Sequence, residues 1–356
     1  VVINAVLPAP PDDRDLLATA IRVREQAAIA SLPVELKDLP LDQVDLKATN
    51  MVGVDALGAL FATQAHAAPT PIAVPAVSLA DAPLSDLIDE LGTQDRGLIM
   101  CMGKGGVGKS TIAAAIAVAL AGRGHQVHLT TTDPAGHLSK ALGGTLENLQ
   151  VSSIDPAEAT RSYRDQVMAT KGAKLDEQGR ALLTEDLLSA CTEEVAVFQA
   201  FSRVISQSRR TFVVVDTAPT GHTLLLRDAT GSYHRDVARN RDKTIHLTTP
   251  LMRLQDSAET KVILAETTPV LEAAQVQADL DRAQIHPWAW VINNSLAAAA
   301  ATSALLRLRV NEELPQIDSV KNQHCTRLAL VPMLPTEPIG IQSLEALSRT
   351  RVPLIR

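Results

Sequence analysis

The residues with the clearest chemical potential are Gly103–Ser110, "GKGGVGKS". They fit the pattern G-x-x-x-x-G-K-[ST], in which a glycine-rich loop turns several backbone N–H groups toward a phosphate at a helix N-terminus. In this reading Gly103, Gly105, Gly106, Val107 and Gly108 supply the loop. Lys109 reaches the β- and γ-phosphates, the Ser110 hydroxyl ligands Mg²⁺, and Thr111 lies near the α-phosphate. The context fits as well, because an apolar strand "GLIMCM" precedes the loop and a helical run "KSTIAAAIAVALAGRG" follows it.

Two aspartates join this set. Asp216 closes the β-branched run "TFVVVD", where a carboxylate holds Mg²⁺ directly or through water. Asp133 closes "QVHLTTTD", where it can orient or deprotonate an attacking water, or bind a metal-bound water. A strand-end Asp is commonly just a helix cap; two of them flanking one phosphate loop favour the functional reading. A second lysine, Lys104, sits ahead of Lys109. It is badly placed to serve the same phosphates from the same side. Across a face-to-face pair of nucleotide domains it could stabilise transition-state charge, much as an arginine finger does; the plain alternative is a solvated lysine on a glycine loop.

The elements that must hold these groups alternate. Strands are expected at 97–102, 126–132, from 149, at 211–217, and in "PWAWVINN" and "RLALVPM"; helices are expected after the loop, from Pro156, over Cys191–Ile205, and in "TPVLEAAQVQADLDRAQ". This predicts an α/β fold, a parallel sheet with helices on both faces and ligands at the carboxyl ends of the strands.

The chain of 356 residues repeats itself. "VVINAVL" at Val1–Leu7 matches "WVINNSL" at Trp290–Leu296, "IRVREQ" precedes "VGVDAL", and "LRLRVNEE" precedes "IGIQSL". Three matches in one order predict that 1–61 is the C-terminal part of a first, truncated nucleotide-binding half. An Ala/Pro-rich linker with the short helix "LSDLIDELG" occupies 62–96, and a complete second half occupies 97–356.

A net charge of −7, with no basic run interleaved with aromatics, argues against nucleic acid as a partner. Three scattered cysteines without a CxxC pair argue against disulfides and structural zinc and fit a reducing cytoplasm. The longest apolar run is too short to span a bilayer.

At "KGGVGKST", "TTDPAGH" and "DTAPTGHTLLLRD" the chain resembles the ATPase subunit of arsenite/antimonite efflux pumps, in the deviant-Walker (SIMIBI-like) class of P-loop NTPases. The resemblance covers nearly the whole chain. It implies two fused homologous halves, with the first half's own phosphate loop upstream of Val1, ATP and Mg²⁺ as cofactors, and arsenite or antimonite as allosteric activator and transported ligand. It implies that Lys104 is the signature lysine acting across the interface. It makes Asp133 part of a nucleotide-sensing segment and Asp216–His222 the relay to the metalloid site, and it sets Asn293 against adenine. Cys191 is then a soft metalloid ligand, with His222 contributing; trivalent arsenic and antimony are thiophilic. Without the resemblance, Cys191 reads as a small buried hydrophobe.

The implied partners are an integral-membrane efflux subunit, a metalloid chaperone, and a second nucleotide-binding half or a second copy. The implied location is cytoplasmic, at the inner face of the plasma membrane. The segment Thr260–Ala274 is a few residues shorter than the family pattern, so the strand there is expected to be short. Two other readings compete. A targeting factor for tail-anchored membrane proteins resembles the same class, but CxxC is lacking and there are only six Met. A partitioning or switch ATPase would use a membrane or DNA partner, which the acidic charge does not favour.

Overall fold

The computed structural model describes residues 1–9, 15–51, 53–58, 82–133, 138–217, 250–267, 271–299 and 301–349. The main body is a seven-stranded sheet in the order β5-β4-β6-β3-β7-β8-β9. Its strands are β3 Gly97–Met102, β4 Val127–Thr131, β5 Leu149–Ser153, β6 Phe212–Asp216, β7 Thr260–Glu266, β8 Ala289–Ser295 and β9 Leu328–Pro332. Every pairing in it is parallel. β3 is central, so the loop that leaves it emerges between the ends of β6 and β7.

Parallel strands buried on both faces need no polar alternation, and "FVVVD" is buried along its whole length. The pleat sends Ile99, Cys101 and Val214 into one apolar layer and Leu98, Met100, Val213 and Val215 into the other. The first layer is covered by the helix Lys109–Gly122, whose Ile112, Ile116 and Leu120 are 0% exposed. Its run of Ala lets that helix sit deep between the sheet and two covering helices, Leu84–Leu91 and Ile341–Arg349. The second layer is covered by Ala190–Ser206, Pro250–Gln255, Leu271–Arg282 and Ala304–Ser319, through Phe201, Leu254, Leu280 and Leu314. Each such side chain contributes about 1.5–3 kcal/mol by leaving water.

The structure departs from the sequence reading at β7. β7 is seven residues long and pairs with both β3 and β8, so the short Thr260–Ala274 segment still yields a full central strand. The apolar run Val262–Ala265, flanked by a partner strand on each side, suffices to form it. The helix Leu84–Leu91, read from sequence with the linker, buries Leu84, Leu87, Ile88 and Leu91 in the first core layer. Ala82 just ahead of it accepts a hydrogen bond from Leu330 N–H at 2.8 Å, on β9.

The N-terminal residues form a second, two-stranded parallel sheet, β1 Val2–Val6 with β2 Asp42–Asp45, joined through the helix Leu16–Ala30. This unit copies the β8–helix–β9 segment in detail. The register slips at Asn4/Val6 and again at Ile292/Ser295. One residue inside each slip has positive φ, 62° at Ala5 and 54° at Asn294. Leu46 N–H donates to Val6 O at 2.8 Å as Met333 N–H does to Ser295 O at 3.0 Å. Glu25 receives Leu7 N–H at 3.0 Å as Glu313 receives Leu296 N–H at 3.0 Å. The repeat read from three short apolar matches is thus a repeat of backbone geometry and of caps.

Candidate functional site

The phosphate loop begins where β3 ends, because Gly103 and Gly108 take backbone angles that other residues rarely adopt. Gly103 has φ +145°, and a Cβ there would lie 2.1 Å from the Ala265 carbonyl oxygen and 2.9 Å from Glu266 Oε1. Gly108 has φ +86°, and a Cβ there would lie 2.2 Å from Asn293 Nδ2. The loop is therefore pressed from behind by the ends of β7 and β8, whereas a Cβ on Gly106 would stand in open space. Lys104, Gly105 and Gly106 are exposed. Gly108 caps the helix Lys109–Gly122, whose first N–H groups and positive dipole end therefore sit at the loop.

Asp216 is 1% exposed. Its Oδ2 accepts the Ser110 hydroxyl at 2.7 Å and the Thr131 hydroxyl at 3.2 Å. Its Oδ1 is buried and has no hydrogen-bond partner among the described residues. Burial raises the Asp216 pKa, against the lowering effect of the Ser110 and Thr131 bonds and of Lys109. Lys109 is also buried, and its Nζ donates to the Lys104 carbonyl at 2.5 Å. Desolvation lowers its pKa, opposed by Asp216, Glu266 and Asp133. Burial thus disfavours the charged form of both groups, and holding them in a dry site costs stability. A buried carboxylate oxygen without a donor, beside a hydroxyl, is a hard-oxygen set suited to magnesium or its bound water. The residues present fit that ion.

Asp133 lies just past β4, half-buried, with its N–H on Thr131 Oγ1 at 3.0 Å. The Thr131 hydroxyl group therefore links both strand-end aspartates. Asn293 is 5% exposed, and its Nδ2 donates to the Val107 carbonyl at 2.9 Å, so this side chain braces the loop from β8. Thr111 is half-buried in the first turn after the loop. Cys191 is exposed, near the N-terminus of Ala190–Ser206. Residues 218–249, which include His222, lie outside the described residues. No cluster of three or more His, Cys, Asp or Glu suited to hold a metal occurs among the described residues. The other thiols are less available: burial pushes Cys101 far up, and Cys325 up to about 11.

The structure thus brings Lys104, Lys109, Ser110, Asp133, Asp216 and Asn293 to one end of the sheet, with Cys191 on a separate helix. Sequence reasoning missed Glu266, which ends β7, is 2% exposed, and accepts the Lys104 N–H at 2.9 Å. The signal was present, since "VILAE" closes an apolar strand with a carboxylate as "FVVVD" does. It also missed Thr131, and Thr217, whose N–H (3.2 Å) and hydroxyl (2.9 Å) both donate to the Cys101 carbonyl and fix the exit from β6.

No helix among the described residues is long and apolar enough to cross a membrane. Residues 96–262 match the family of anion-transporting ATPases. The arsenical pump-driving ATPase of Acidiphilium multivorum is 57% identical over 349 residues, covering 97% of this chain and 60% of that protein. An arsenical pump-driving ATPase of Escherichia coli is 58% identical over 351 residues, covering 98% of this chain and 60% of that protein. The ATPase GET3 of Malassezia globosa is 35% identical over 138 residues, covering 35% of this chain. The chain spans about 60% of the length of the arsenical pump-driving relatives it matches. Residues 96–262, which contain the phosphate loop, thus carry the domain of the anion-transporting ATPase family, within a chain similar along nearly all of its residues to arsenical pump-driving ATPases.

Proposed function

We propose that the chain is the ATP-hydrolysing part of an arsenite and antimonite efflux system. The observation that carries this reading is the buried Asp216 carboxylate, bonded to Ser110 through one oxygen and without a partner on the other among the described residues, at the mouth of a loop braced open from behind. The metalloid is taken from the name of the relatives, arsenical pump-driving ATPases.

The amides of Gly103–Ser110 and the start of the following helix hold the phosphates, with Thr111 beside the α-phosphate. Lys109 exchanges the Lys104 carbonyl for phosphate oxygens, whose negative charge adds to that of Asp216, Glu266 and Asp133 around its desolvated ammonium. Ser110 and Asp216 hold the magnesium ion, which when bound draws charge from the phosphate oxygens. Asp133 orients the attacking water. Lys104 reaches the nucleotide of a paired half, either the first half to which 1–61 belongs or a second copy. Residues 62–96 join that half to the complete one at 97–356. Asn293 lies near the adenine as well as on the loop. Cys191, with His222, takes arsenite or antimonite, which acts both as activator and as transported ligand. An integral-membrane subunit carries the metalloid across the plasma membrane, holds this chain at its cytoplasmic face, and is served by a metalloid chaperone.

The test is ATP hydrolysis by the full-length protein with and without arsenite or antimonite. Turnover rising with the metalloid is expected; hydrolysis indifferent to both metalloids at every concentration removes the coupling. Absence of hydrolysis and of nucleotide binding removes the whole reading.

A further inference from the structure

Glu266 has no part in the chemistry described so far, yet it is 2% exposed and reaches the phosphate loop. Its Oε1 accepts the Lys104 N–H at 2.9 Å, and the Lys104 carbonyl accepts Lys109 Nζ at 2.5 Å. Both peptide groups flanking the Lys104 Cα are therefore tied, one to the end of β7 and one to the loop's own lysine. Gly103, one residue earlier, has no room for a Cβ against Ala265 O and Glu266 Oε1, so the loop lies directly on this strand end. The Lys104 side chain, by contrast, is exposed. A carboxylate is buried at such a position only where it is hydrogen-bonded and faces positive charge. Lys109 provides that charge.

The two ties differ in what happens when a triphosphate enters. Lys109 is drawn to the phosphates, as its place in the loop requires, and it releases the Lys104 carbonyl. The tie from Glu266 does not compete with nucleotide. We propose that Glu266 is a positioning residue for Lys104: it fixes the Lys104 peptide to β7 and so keeps the lysine side chain directed out of the loop while Lys109 changes partners. The proposal rests on the reading of this loop as an ATP site. It assigns β7 a role distinct from that of β6, which holds the magnesium-side carboxylate. The strand on one side of β3 serves the metal, and the strand on the other aims the second lysine.

The test separates reach from charge in the full-length protein. Glu266→Gln keeps the oxygen acceptor and removes the charge, whereas Glu266→Asp keeps the charge and withdraws the acceptor by one methylene. Three quantities are read: ADP affinity with a fluorescent ADP, kcat for ATP, and Tm without nucleotide. E266D is expected to lose kcat by about tenfold or more, and E266Q by less than about threefold, with ADP affinity changed less than about threefold in both. In a Lys104→Ala background, E266D is expected to add no further loss, because the group it aims is gone. E266Q as damaged as E266D overturns the proposal, as do losses that add to that of K104A, or an ADP affinity that falls in step with kcat. If E266D does not fold, E266Q alone decides, since a loss of kcat beyond threefold at wild-type Tm overturns the proposal. An unsubstituted protein that binds ADP and hydrolyses ATP keeps the ATP-site reading intact whatever the variants do; one that binds no nucleotide overturns both.

Discussion

Asp15 Oδ2 accepts the N–H of Ser303, and Ser303 holds in the second copy of the repeat the place that Asp15 holds in the first. Each caps its helix, Asp15 through Ala18 N–H and Ser303 through Leu306 N–H. The same carboxylate oxygen takes Thr302 N–H at 2.9 Å. The apolar cluster around this contact is built from equivalent pairs: Leu7 with Leu296, Leu17 with Leu305, Ala18 with Leu306, and Leu46 with Met333. Equivalent residues meeting at one surface are the mark of two-fold pairing, and here both partners lie in one chain. Arg309 adds a polar tie, donating to the Lys47 carbonyl at 2.8 Å.

Asp15→Ala should therefore weaken both the helix start and the junction. Loss of the cap and of an acceptor for two further amides is worth about 2 kcal/mol, seen as a Tm lower by several degrees. Burial raises the Asp15 pKa, but the amides of Ala18, Ser303 and Thr302 outweigh it and the net shift is downward. The stabilisation is then fully present above the usual Asp value of 3.8 and is lost as pH falls through the lowered one. The gap between wild type and D15A should be constant near neutrality and close only in acid; a gap that narrows toward alkaline pH contradicts this.

Asp216→Asn should raise the Tm of the nucleotide-free protein while removing magnesium-dependent nucleotide binding. The buried carboxylate is penalised by desolvation, and its pKa is raised. A raised acid has no penalty below the usual carboxylate range and the full penalty above its own folded value. The Tm advantage of D216N should thus grow as pH rises through that window and vanish below it. Thermal melts of both proteins from acid to neutral pH check the sign.

Gly108→Ala should weaken nucleotide binding with the sheet intact. Its Cβ would fall 2.2 Å from Asn293 Nδ2 at a φ of +86°, so the loop must move off β8. An affinity loss of about tenfold or more is expected, with little change in circular dichroism. G108A combined with Asn293→Ala should recover part of that affinity, since the obstructing amide is removed; no recovery would place the defect in backbone strain alone.

Cys191→Ser should leave Tm within about 1 °C, because exposed side chains carry little packing energy, and Cys191 is exposed near a helix start. The response of hydrolysis to arsenite should weaken markedly. A full response in C191S moves the metalloid site elsewhere.

Much of this protein was legible from local chemistry. Gly103–Ser110, the runs "GLIMCM" and "FVVVD", and the strand-end Asp133 and Asp216 are short, contiguous signals, and β3 and β6 formed where those patterns lay. The repeat was visible because strand, helix and strand recur in order, and the slips at Ala5 and Asn294 show that backbone geometry recurs too. What the tertiary structure alone decided was adjacency. Nothing in the order of the chain says that β7 lies beside β3, so Glu266, 162 residues from Lys104, could not be joined to it. For the same reason Asn293 was not seen to brace Val107, nor Asp15 to meet Ser303, 288 residues away. A hydrogen bond needs its partners within about 3 Å, and only the packing of parallel strands around a buried helix sets that distance for residues the sequence holds far apart.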